Sequence, residues 1–457
     1  MNDDTVPQTV LFPDLVDRAL VVRFDRPHAS SDGGAVLLKA VDQRLGVIDA
    51  LAAALPDARD PAKVTHAVRD LVAQRVFGIA CGHPDGNDSD ALAEDPIHKL
   101  LLDRDPIDGE RLASQPTISR FEQAAAPRPL FRMSEALADT VIAQHRRRQR
   151  RARLITIDVD VTVDPTHGAQ QLTFFNGYYD TWCYLPLLAT LTFNNEARQY
   201  LVTAVLRPGN APTKAGVRGL LRRLIPKLWR AFPRARLRVR LDGGFAAPEL
   251  FDELEAAGVD YVVGMPTNSV LTTAATPYLS PLQTRVAATH ETATTYHEAR
   301  YQAGTWPHAR RVVIKAEVVW QDDRAPRDNP RFVITNLRQT PTWIYTHVYC
   351  ARGDSENRLK ELKHALALDR TSCTRFWANQ LRVTLTAAAY VLWQDLQRRA
   401  DRTPLAGAQV ARLRQALITI GVQVQRSVRR IVLHLPQSQP HHATWHRLAR
   451  QLGAAPT

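Results

Sequence analysis

The sequence predicts an α/β fold that follows a mainly helical N-terminal region. Three observations carry this prediction. Residues 1–150 show the apolar spacing of helices, strand-like alternation begins at residue 154, and strand and helix patterns then alternate to about residue 265. At 457 residues the chain is also too long for one ordinary hydrophobic core, so we expect several parts.

Changes of composition and pattern along the chain predict five parts. The first is a helical region that ends in a basic run or linker, and the second is an α/β unit. A β-rich stretch follows, then a part with a polar helix and a long apolar helix, and a basic segment is the last. The predicted boundaries are 1–150, 151–265, 266–343, 344–400 and 401–457.

The N-terminal region shows three helix starts. The Ser-Ser-Asp-Gly-Gly run at 30–34 offers capping residues ahead of an apolar-periodic run to Leu45, and Pro61 suits the first turn of a helix over 64–79. A third helix begins within 115–122 with a proline and with small polar and basic residues. Such a start is typical of the recognition helix of a helix-turn-helix, and ordinary capping chemistry explains it equally well.

The predicted core begins with a strand in which Ile155, Ile157 and Val159 alternate with polar residues. Further strands are expected at 185–193, 199–206, 237–241 and 259–263, with helices at 213–230 and 247–257. The β-rich stretch carries strand patterns at 296–302, 311–320 and 331–337. A polar helix and a long apolar helix at 376–396 follow, and the tail contains a helix near 408–418 and a strand near 430–435.

The charge of the chain predicts a polyanionic partner. The net charge is +13, and no basic amphipathic helix points to a membrane surface, so nucleic acid is the better candidate. The sequence contains no run of about 20 apolar residues, so no membrane span is predicted. Widely spaced cysteines and an acidic start in place of a signal peptide favour the cytoplasm. A basic run at 145–153 is either a phosphate-contacting linker or a solvated face.

Four polar residues stand in the spacing Y-x2-R-x3-E-x6-K: Tyr349, Arg352, Glu356 and Lys363. On a regular helix, at about 100° per residue, they share a stripe about 60° wide. The alternative is a ladder of ion pairs, such as Glu356 with Lys360. Each such pair stabilises a helix by only about 0.2–0.5 kcal/mol, and an arginine N-terminal to its glutamate is the weaker order. A functional site is therefore favoured.

Carboxylates at predicted strand ends indicate which reaction that site could perform. Asp158 and Asp160 lie two apart on one strand and so face the same side, and Asp242 follows another strand ahead of two glycines. Together with Glu356, such oxygen ligands suit two Mg²⁺ ions about 3.5–4 Å apart, which stabilise the attacking and leaving oxygens in phosphodiester displacement. Solvent exposure explains any one of these acids taken alone, but it explains their combination poorly.

These motifs resemble bacterial insertion-sequence transposases of the DDE class, in the group marked by a Y-R-E-K helix. The resemblance covers most of the chain. Besides the full signature, it rests on D-V-D-V-T at 158–162, F-N-G-Y-Y-D at 175–180, L-D-G-G-F at 241–245 and Y-C-A-R-G at 349–353.

The resemblance implies a ribonuclease-H-like catalytic core interrupted by a β-rich insertion, with a DNA-binding N-terminal region. The D-x-T element of the family corresponds to residues 160–162, so Asp160 is implied as the first catalytic carboxylate. Asp158 is the alternative for that position. The implied catalytic and metal-binding residues are Asp160, Asp242 and Glu356. The residues implied to contact DNA phosphates are Tyr349, Arg352 and Lys363.

The activity implied by the resemblance is cut-and-paste transposition with two Mg²⁺ ions, for which Mn²⁺ can substitute. The implied partners are double-stranded DNA, as terminal inverted repeats and as target, and a second copy of the chain on that DNA. Related enzymes hold a flipped base with an insertion-domain tryptophan, for which Trp306 and Trp320 are candidates unless they are core residues. The alternatives are a nuclease of the same fold that does not join strands and an inactive DNA-binding protein.

Overall fold

The computed structural model describes residues 10–149, 151–304, 306–322 and 324–455, and the side chains of 354–356 lie outside the described part. The strands are β1 Val10–Phe12, β2 Leu20–Val22, β3 Ala29–Ser30, β4 Leu154–Val161, β5 Asp164–Pro165, β6 Phe174–Asn176, β7 Thr181–Tyr184, β8 Leu187–Phe193, β9 Tyr200–Val205, β10 Arg236–Leu241, β11 Asp260–Met265, β12 Ala293–Tyr301, β13 Arg310–Gln321, β14 Arg324–Asp328, β15 Arg331–Thr335, β16 Val422–Arg426 and β17 Ile431–His434. The helices are α1 Val36–Leu45, α2 Val47–Ala53, α3 Val68–Cys81, α4 Asp88–Leu92, α5 Pro96–Leu101, α6 Gln115–Gln123, α7 Pro127–Arg148, α8 Val217–Ala231, α9 Pro248–Ala256, α10 Ser269–Thr289, α11 Pro341–Trp343, α12 Gly353–Leu366, α13 Phe376–Arg399, α14 Val410–Leu413 and α15 His442–Gln451.

A mixed central sheet organises the molecule. Strands β4, β8 and β9 form an antiparallel meander, and β10 and β11 then join the other side of β4 in parallel orientation. The order β9-β8-β4-β10-β11, with α8 and α9 between the parallel strands, is the ribonuclease-H-like arrangement. The predicted fold class is therefore confirmed, and the predicted strands and helices of this part lie within a few residues of the observed ones.

The β-rich stretch at 266–343 extends the same sheet. Strand β15 pairs with β11, β13 pairs with β15, and β12 and β14 both pair with β13. Helix α10 packs on these added strands and was not expected from the sequence. Its interior Pro277 and Pro281 lack the backbone N–H of a helix, which hides a helical pattern. The spacing of the apolar residues that are buried in this helix is the signal from which it could have been predicted: Leu271, Ala275, Leu279, Leu282 and Val286.

One hydrophobic core crosses the boundaries drawn from the sequence. Helix α13 is buried along almost its whole length and packs on α3 from the N-terminal region and on β9 from the sheet. Helix α7 also packs on β9, which connects the N-terminal helices to the central sheet. The five-part division remains a prediction, because it marks changes of composition and not gaps in the packing.

The C-terminal segment packs against the N-terminal region. Strand β16 pairs with β3, with Val422 opposite Ser30. A Cβ added to Gly34 would lie 1.7 Å from the carbonyl oxygen of Leu417, so the backbone of the two segments is in direct contact. The tail is therefore part of the main packing of the chain.

At two places in the N-terminal region, the structure does not match one of the two alternatives that the sequence left open. Helix α6 is separated from α5 by residues 102–114, so the short turn of a helix-turn-helix is missing there. The basic run at 145–153 is not a linker at its start, because His145 and Arg148 form the last turn of α7. Arg148 pairs with Glu196 at 2.9 Å, and His145 is buried. Arg150 lies outside the described residues.

Candidate active site

Two of the predicted carboxylates lie at neighbouring strand ends. Asp160 is the next-to-last residue of β4, and Asp242 directly follows β10. The strands are parallel, and Arg240 stands opposite Asp158 in their register. Two residues further along the same register, Asp242 lies level with Asp160. The ribonuclease-H-like pairing of β4 and β10 thus brings together two acids that are far apart in the sequence.

Arg352 joins these carboxylates. Its Nη2 lies 3.1 Å from each carboxylate oxygen of Asp160 and 3.3 Å from Oδ2 of Asp242. Both acids therefore converge on one positively charged nitrogen. The other oxygen of Asp242 accepts the backbone N–H of Gly244 at 2.9 Å, which fixes the orientation of the carboxylate.

Asp242 is partly buried beside another acid, which favours a cation at this edge of the sheet. Burial raises the pKa of Asp242 above its ordinary value, Arg352 opposes the rise, and the neighbouring charge of Asp160 adds to it. A second cation near the pair would favour the ionised carboxyl further. The site is therefore electrostatically suited to a divalent metal ion.

Asp158 occupies a different environment. Its oxygens lie 2.5 and 2.8 Å from the guanidinium of Arg240, and both side chains of this ion pair are almost fully buried. Arg240 also donates to the carbonyl of Val348 at 2.8 Å. Asp158 thus binds a strand arginine that holds the signature segment against the sheet. Sequence analysis missed Arg240, although an arginine within a buried strand pattern is the signal that could have found it.

The signature residues do not lie on one regular helix. A single turn, α11, leads into a π-helical turn at Ile344–Tyr349 and a 3₁₀ turn at Cys350–Arg352, and only then does α12 begin. The predicted stripe assumes a constant rotation per residue, so it is wrong across this break. Breaks of this kind re-aim side chains and are frequent at functional sites.

Tyr349 lies beside the acids. A Cβ added to Gly264 would come within 2.7 Å of the Tyr349 hydroxyl and 2.8 Å of the backbone nitrogen of Gly243, so the three groups are packed together. Burial raises the pKa of Tyr349, Arg352 opposes this, and the charge of Asp242 adds to it. The phenol is therefore a neutral hydrogen-bonding group next to Asp242.

The two remaining signature residues follow on α12. Lys363 donates to the carbonyl of Val163, just beyond β4, and its Nζ lies 4.0 Å from Asp369. The backbone of Glu356 lies in the first turn of α12, four residues after Arg352, while its side chain lies outside the described residues. The helix that carries Glu356 therefore starts directly after the residue that bridges the two aspartates.

A further buried acid follows β4. Both oxygens of Asp164 accept from the hydroxyl of Thr371, at 3.0 and 2.8 Å. Burial raises the pKa of Asp164 to about 7, against the smaller effect of that hydrogen bond. Asp164 has no exposed surface, so its role is in the packing between β5 and the segment ahead of α13.

Two other groups of possible metal ligands occur in the described part of the chain, and internal pairing accounts for both. In the first, Asp32 accepts from His83 and His98 at 2.9 Å each; burial raises its pKa, but these bonds bring it to about 2. In the second, Asp252 and Glu255 both pair with Arg310, and His308 also contacts Glu255.

The tryptophans considered for base flipping occupy different surroundings. Trp306 is buried in the core against Phe251 and Tyr301, so it is a core residue. Trp320 stacks on His290 with ring centroids 4.3 Å apart and directs its indole N–H to Asp322 at 3.2 Å.

The donor set fits Mg²⁺. Asp160 and Asp242 supply hard carboxylate oxygens, which this ion prefers, and both already converge on a positive charge. Side-chain exposure of 12% for Asp160 and 35% for Asp242 leaves an approach from solvent. Such a partly open pair of acids can serve phosphoryl transfer, in which metal ions and carboxylates manage the charge on oxygen.

One family model covers almost the whole chain. The model of the family described as "Transposase DDE domain group 1" matches residues 12–457. No curated protein matches the chain. Among solved structures, the piggyBac transposase synaptic complex with hairpin DNA is similar, with 9% sequence identity, a TM-score of 0.41, and coverage of 93% of this chain and 82% of that one. None of the described helices combines the length and the hydrophobicity that a membrane span needs.

Proposed function

Because the chain belongs to the transposase DDE domain family, group 1, we propose that it binds the ends of its own mobile element, cleaves them and joins them to target DNA. The catalytic and metal-binding residues of this proposal are Asp160, Asp242 and Glu356. The observation that supports it best is the convergence of Asp160 and Asp242 on Arg352 at the ends of two parallel strands.

Each residue of the site has a defined task in this reaction. Asp160, Asp242 and Glu356 would hold two Mg²⁺ ions, or Mn²⁺ in their place. When bound, such ions activate an oxygen nucleophile and neutralise charge on the leaving oxygen. Arg352 keeps the two aspartates together and supplies positive charge where a phosphate must approach. We assign Asp158 a structural role, because it forms a buried ion pair with Arg240.

Tyr349 and Lys363 complete the proposed DNA contacts together with Arg352. Lys363 is 18% exposed and uses one of its three ammonium hydrogens on the carbonyl of Val163. Tyr349 is a neutral donor beside Asp242. Both lie on the signature segment that borders the acids, so we assign them to phosphate contacts that position the strand. We place the reaction in the bacterial cytoplasm, on a pair of element ends held by two copies of the chain.

A cleavage and joining assay tests the proposal. Purified protein is incubated with Mg²⁺ and labelled duplex that carries the terminal repeats of the element. We expect cleavage at the ends and joined products. The variants Asp160→Asn, Asp242→Asn and Glu356→Gln should lose cleavage by a factor of at least about 10³ and keep their affinity for the ends. Glu291→Gln, an exposed acid remote in sequence from the site, is the matched control and should cleave normally.

The assay also separates the alternatives. Cleavage without joined products would indicate a nuclease of the same fold. Binding without cleavage would indicate an inactive DNA-binding protein. Full activity in Asp160→Asn or Asp242→Asn would contradict the assignment of the acids.

A further inference from the structure

A cavity of about 480 Å³ lies between the central sheet and the segment that leads into the signature helix. Strands β4, β8 and β10 and the connection from β8 to β9 form its sheet side. Trp343, His347 and Val348, from α11 and the π-helical turn after it, form the other side. A cavity of this volume accepts a small organic molecule.

Arg238 brings a positive charge to this cavity without a matching acid. The residue is only 8% exposed, and its Nε has no hydrogen-bond partner within the described part of the chain. Asp260, the acid whose charge acts on Arg238, pairs with Arg236 at 2.6 Å instead. Burial lowers the pKa of Arg238, and Asp260 opposes this effect. A buried charge without a partner is costly, so this arginine points to an anion that is not part of the chain.

The other carboxylate and guanidinium groups that line the cavity are already paired. Glu196 contacts Arg148 at 2.9 Å, and Arg240 contacts Asp158 at 2.5 Å. These two pairs contribute no net charge. The positive charge of Arg238 is therefore left over, and it favours an anionic ligand.

Neutral groups of the cavity wall also lack partners. Oγ1 of Thr192 and Oε1 of Gln199 are buried and accept or donate no hydrogen bond among the described residues. The amide nitrogen of Gln199 donates to Asp158 at 3.2 Å, which fixes the orientation of the amide. Buried polar atoms almost always have partners. A hydroxyl such as that of Thr192 can donate to an anion, and an amide oxygen can accept from a hydroxyl of the ligand.

The position of the cavity favours a small molecule over the DNA backbone. Arg238 precedes Asp242 by four residues along β10, which is about 13 Å on a strand. Between them lies the almost fully buried pair of Asp158 and Arg240, and Arg240 also binds the carbonyl of Val348. This closed stretch separates the cavity from the candidate active site. A strand of DNA at the acids would not continue into the cavity.

We propose that the cavity at Arg238 binds a small phosphate-bearing molecule, either inorganic phosphate or a phosphate monoester, with its phosphate group against the guanidinium. Arginine matches the geometry of a phosphate group with two parallel hydrogen bonds. The ligand would connect β10 to the segment that carries Val348, so binding should stabilise the folded protein. The site is independent of the proposed function, because neither the proposed catalytic acids nor DNA takes part in it.

Calorimetric titration tests the proposal. The probes are inorganic phosphate and adenosine monophosphate, added to the full chain in chloride buffer without divalent metal. We expect one saturable site per chain, and Arg238→Met should weaken it by a factor of at least about ten. Arg234→Met, at an exposed arginine outside the cavity, is the matched control and should bind normally. Tighter binding of adenosine monophosphate identifies a monoester as the ligand, and tighter binding of phosphate identifies the free anion.

Thermal unfolding provides a second measurement. In chloride buffer, Arg238→Met should unfold at the wild-type temperature or above it, because the variant removes an unpaired buried charge. Phosphate should raise the unfolding temperature of the wild type and leave that of Arg238→Met unchanged. Ala197→Trp, at an exposed position of the cavity wall, should fold normally and also lose the response to phosphate, which keeps the test independent of the arginine variant.

Four outcomes would overturn the site. The first is no saturable binding of either probe, and the second is wild-type affinity in both Arg238→Met and Ala197→Trp. Loss of phosphate binding in Arg352→Gln, with normal binding in Arg238→Met, would place the anion at the candidate active site instead. If Arg238→Met weakened the binding of duplex DNA as strongly as that of phosphate, the cavity would belong to the DNA path.

Discussion

Asp158 and Asp160 stand two places apart on β4 and face the same side, yet their surroundings differ. Asp158 is matched by a buried arginine from the neighbouring strand. Asp160 is held by Arg352, whose side chain is 20% exposed and contacts a second acid as well. The buried pairing of Asp158 with Arg240 alone is typical of a structural ion pair. Asp160 shares the partly exposed Arg352 with Asp242, which is typical of a site that binds other cations.

This difference predicts opposite phenotypes. Asp158→Ala leaves the Arg240 guanidinium buried without its carboxylate, which should lower the free energy of unfolding by about 3–5 kcal/mol. Asp160→Asn keeps the shape of the side chain and removes the like-charge repulsion with Asp242, so it should cost less stability than Asp158→Ala, while cleavage is lost. Urea unfolding of the two variants measures this. Similar losses of stability in both would contradict the division of roles.

Asp164 predicts a dependence of stability on pH. Its folded-state pKa of about 7 lies above the ordinary value of 3.8. The folded protein therefore holds this proton more tightly than the unfolded chain. The resulting stabilisation is complete below about pH 4 and is lost as the pH rises to about 7. Asp164→Asn, which cannot ionise, should become more stable relative to wild type over this interval. A constant difference across these pH values, measured by urea unfolding, would rule the effect out.

At the scale of elements, the end of β11 approaches the loop after β10 more closely than a side chain permits. In Gly264→Ala, the new Cβ would meet the hydroxyl of Tyr349 at 2.7 Å and the backbone nitrogen of Gly243 at 2.8 Å. The backbone atom cannot move away without displacing Asp242. We expect a loss of about 1–3 kcal/mol in stability and a clear fall in cleavage.

Gly243→Ala is the matched control for this change. An added Cβ there finds its nearest neighbour at 3.5 Å, an ordinary contact. Thermal unfolding and the cleavage assay should show a small effect for Gly243→Ala and a large one for Gly264→Ala. Two variants of equal activity would mean that the close approach does not position the acid.

Elements with a strong local pattern could be predicted from the sequence. Alternation identified β4, and the strand patterns placed Asp160 on that strand and Asp242 directly after another strand. The parallel pairing of the two strands was not predicted. The apolar run of α13 was equally clear. In each case the prediction succeeds because the apolar face defined by the sequence pattern is the face that is buried in the fold.

The remaining elements depend on contacts that local patterns do not contain. The π and 3₁₀ turns at 344–352 have no periodic signal of their own, since the segment is shaped by its packing on β11 and by the bond from Arg240 to Val348. Helix α10 keeps its helical form despite two prolines because one face is buried on the sheet. The bridge from Arg352 to both acids likewise exists only after the strands have paired.

At the scale of the whole molecule, the basic tail is a structural part of the core. It contributes buried side chains from α14, from the turn after it and from β16: Val410, Leu413, Leu417, Ile418 and Val422. A chain ending at residue 400 should therefore lose cooperative unfolding and most of its soluble yield, because the apolar surface beneath these residues is exposed. A chain ending at Ala454 is the control and should behave like wild type. Cooperative unfolding of the chain that ends at residue 400 would show that the tail is dispensable.

The pairing of β3 with β16 also sets the order of events during synthesis. Residues 29–30 leave the ribosome long before their partners at 422–423. The nascent polypeptide therefore carries all of its acids long before it can enclose them. We therefore expect a message that stops ahead of residue 422 to yield no active fragment, as complete a loss of cleavage as a change in the proposed acids.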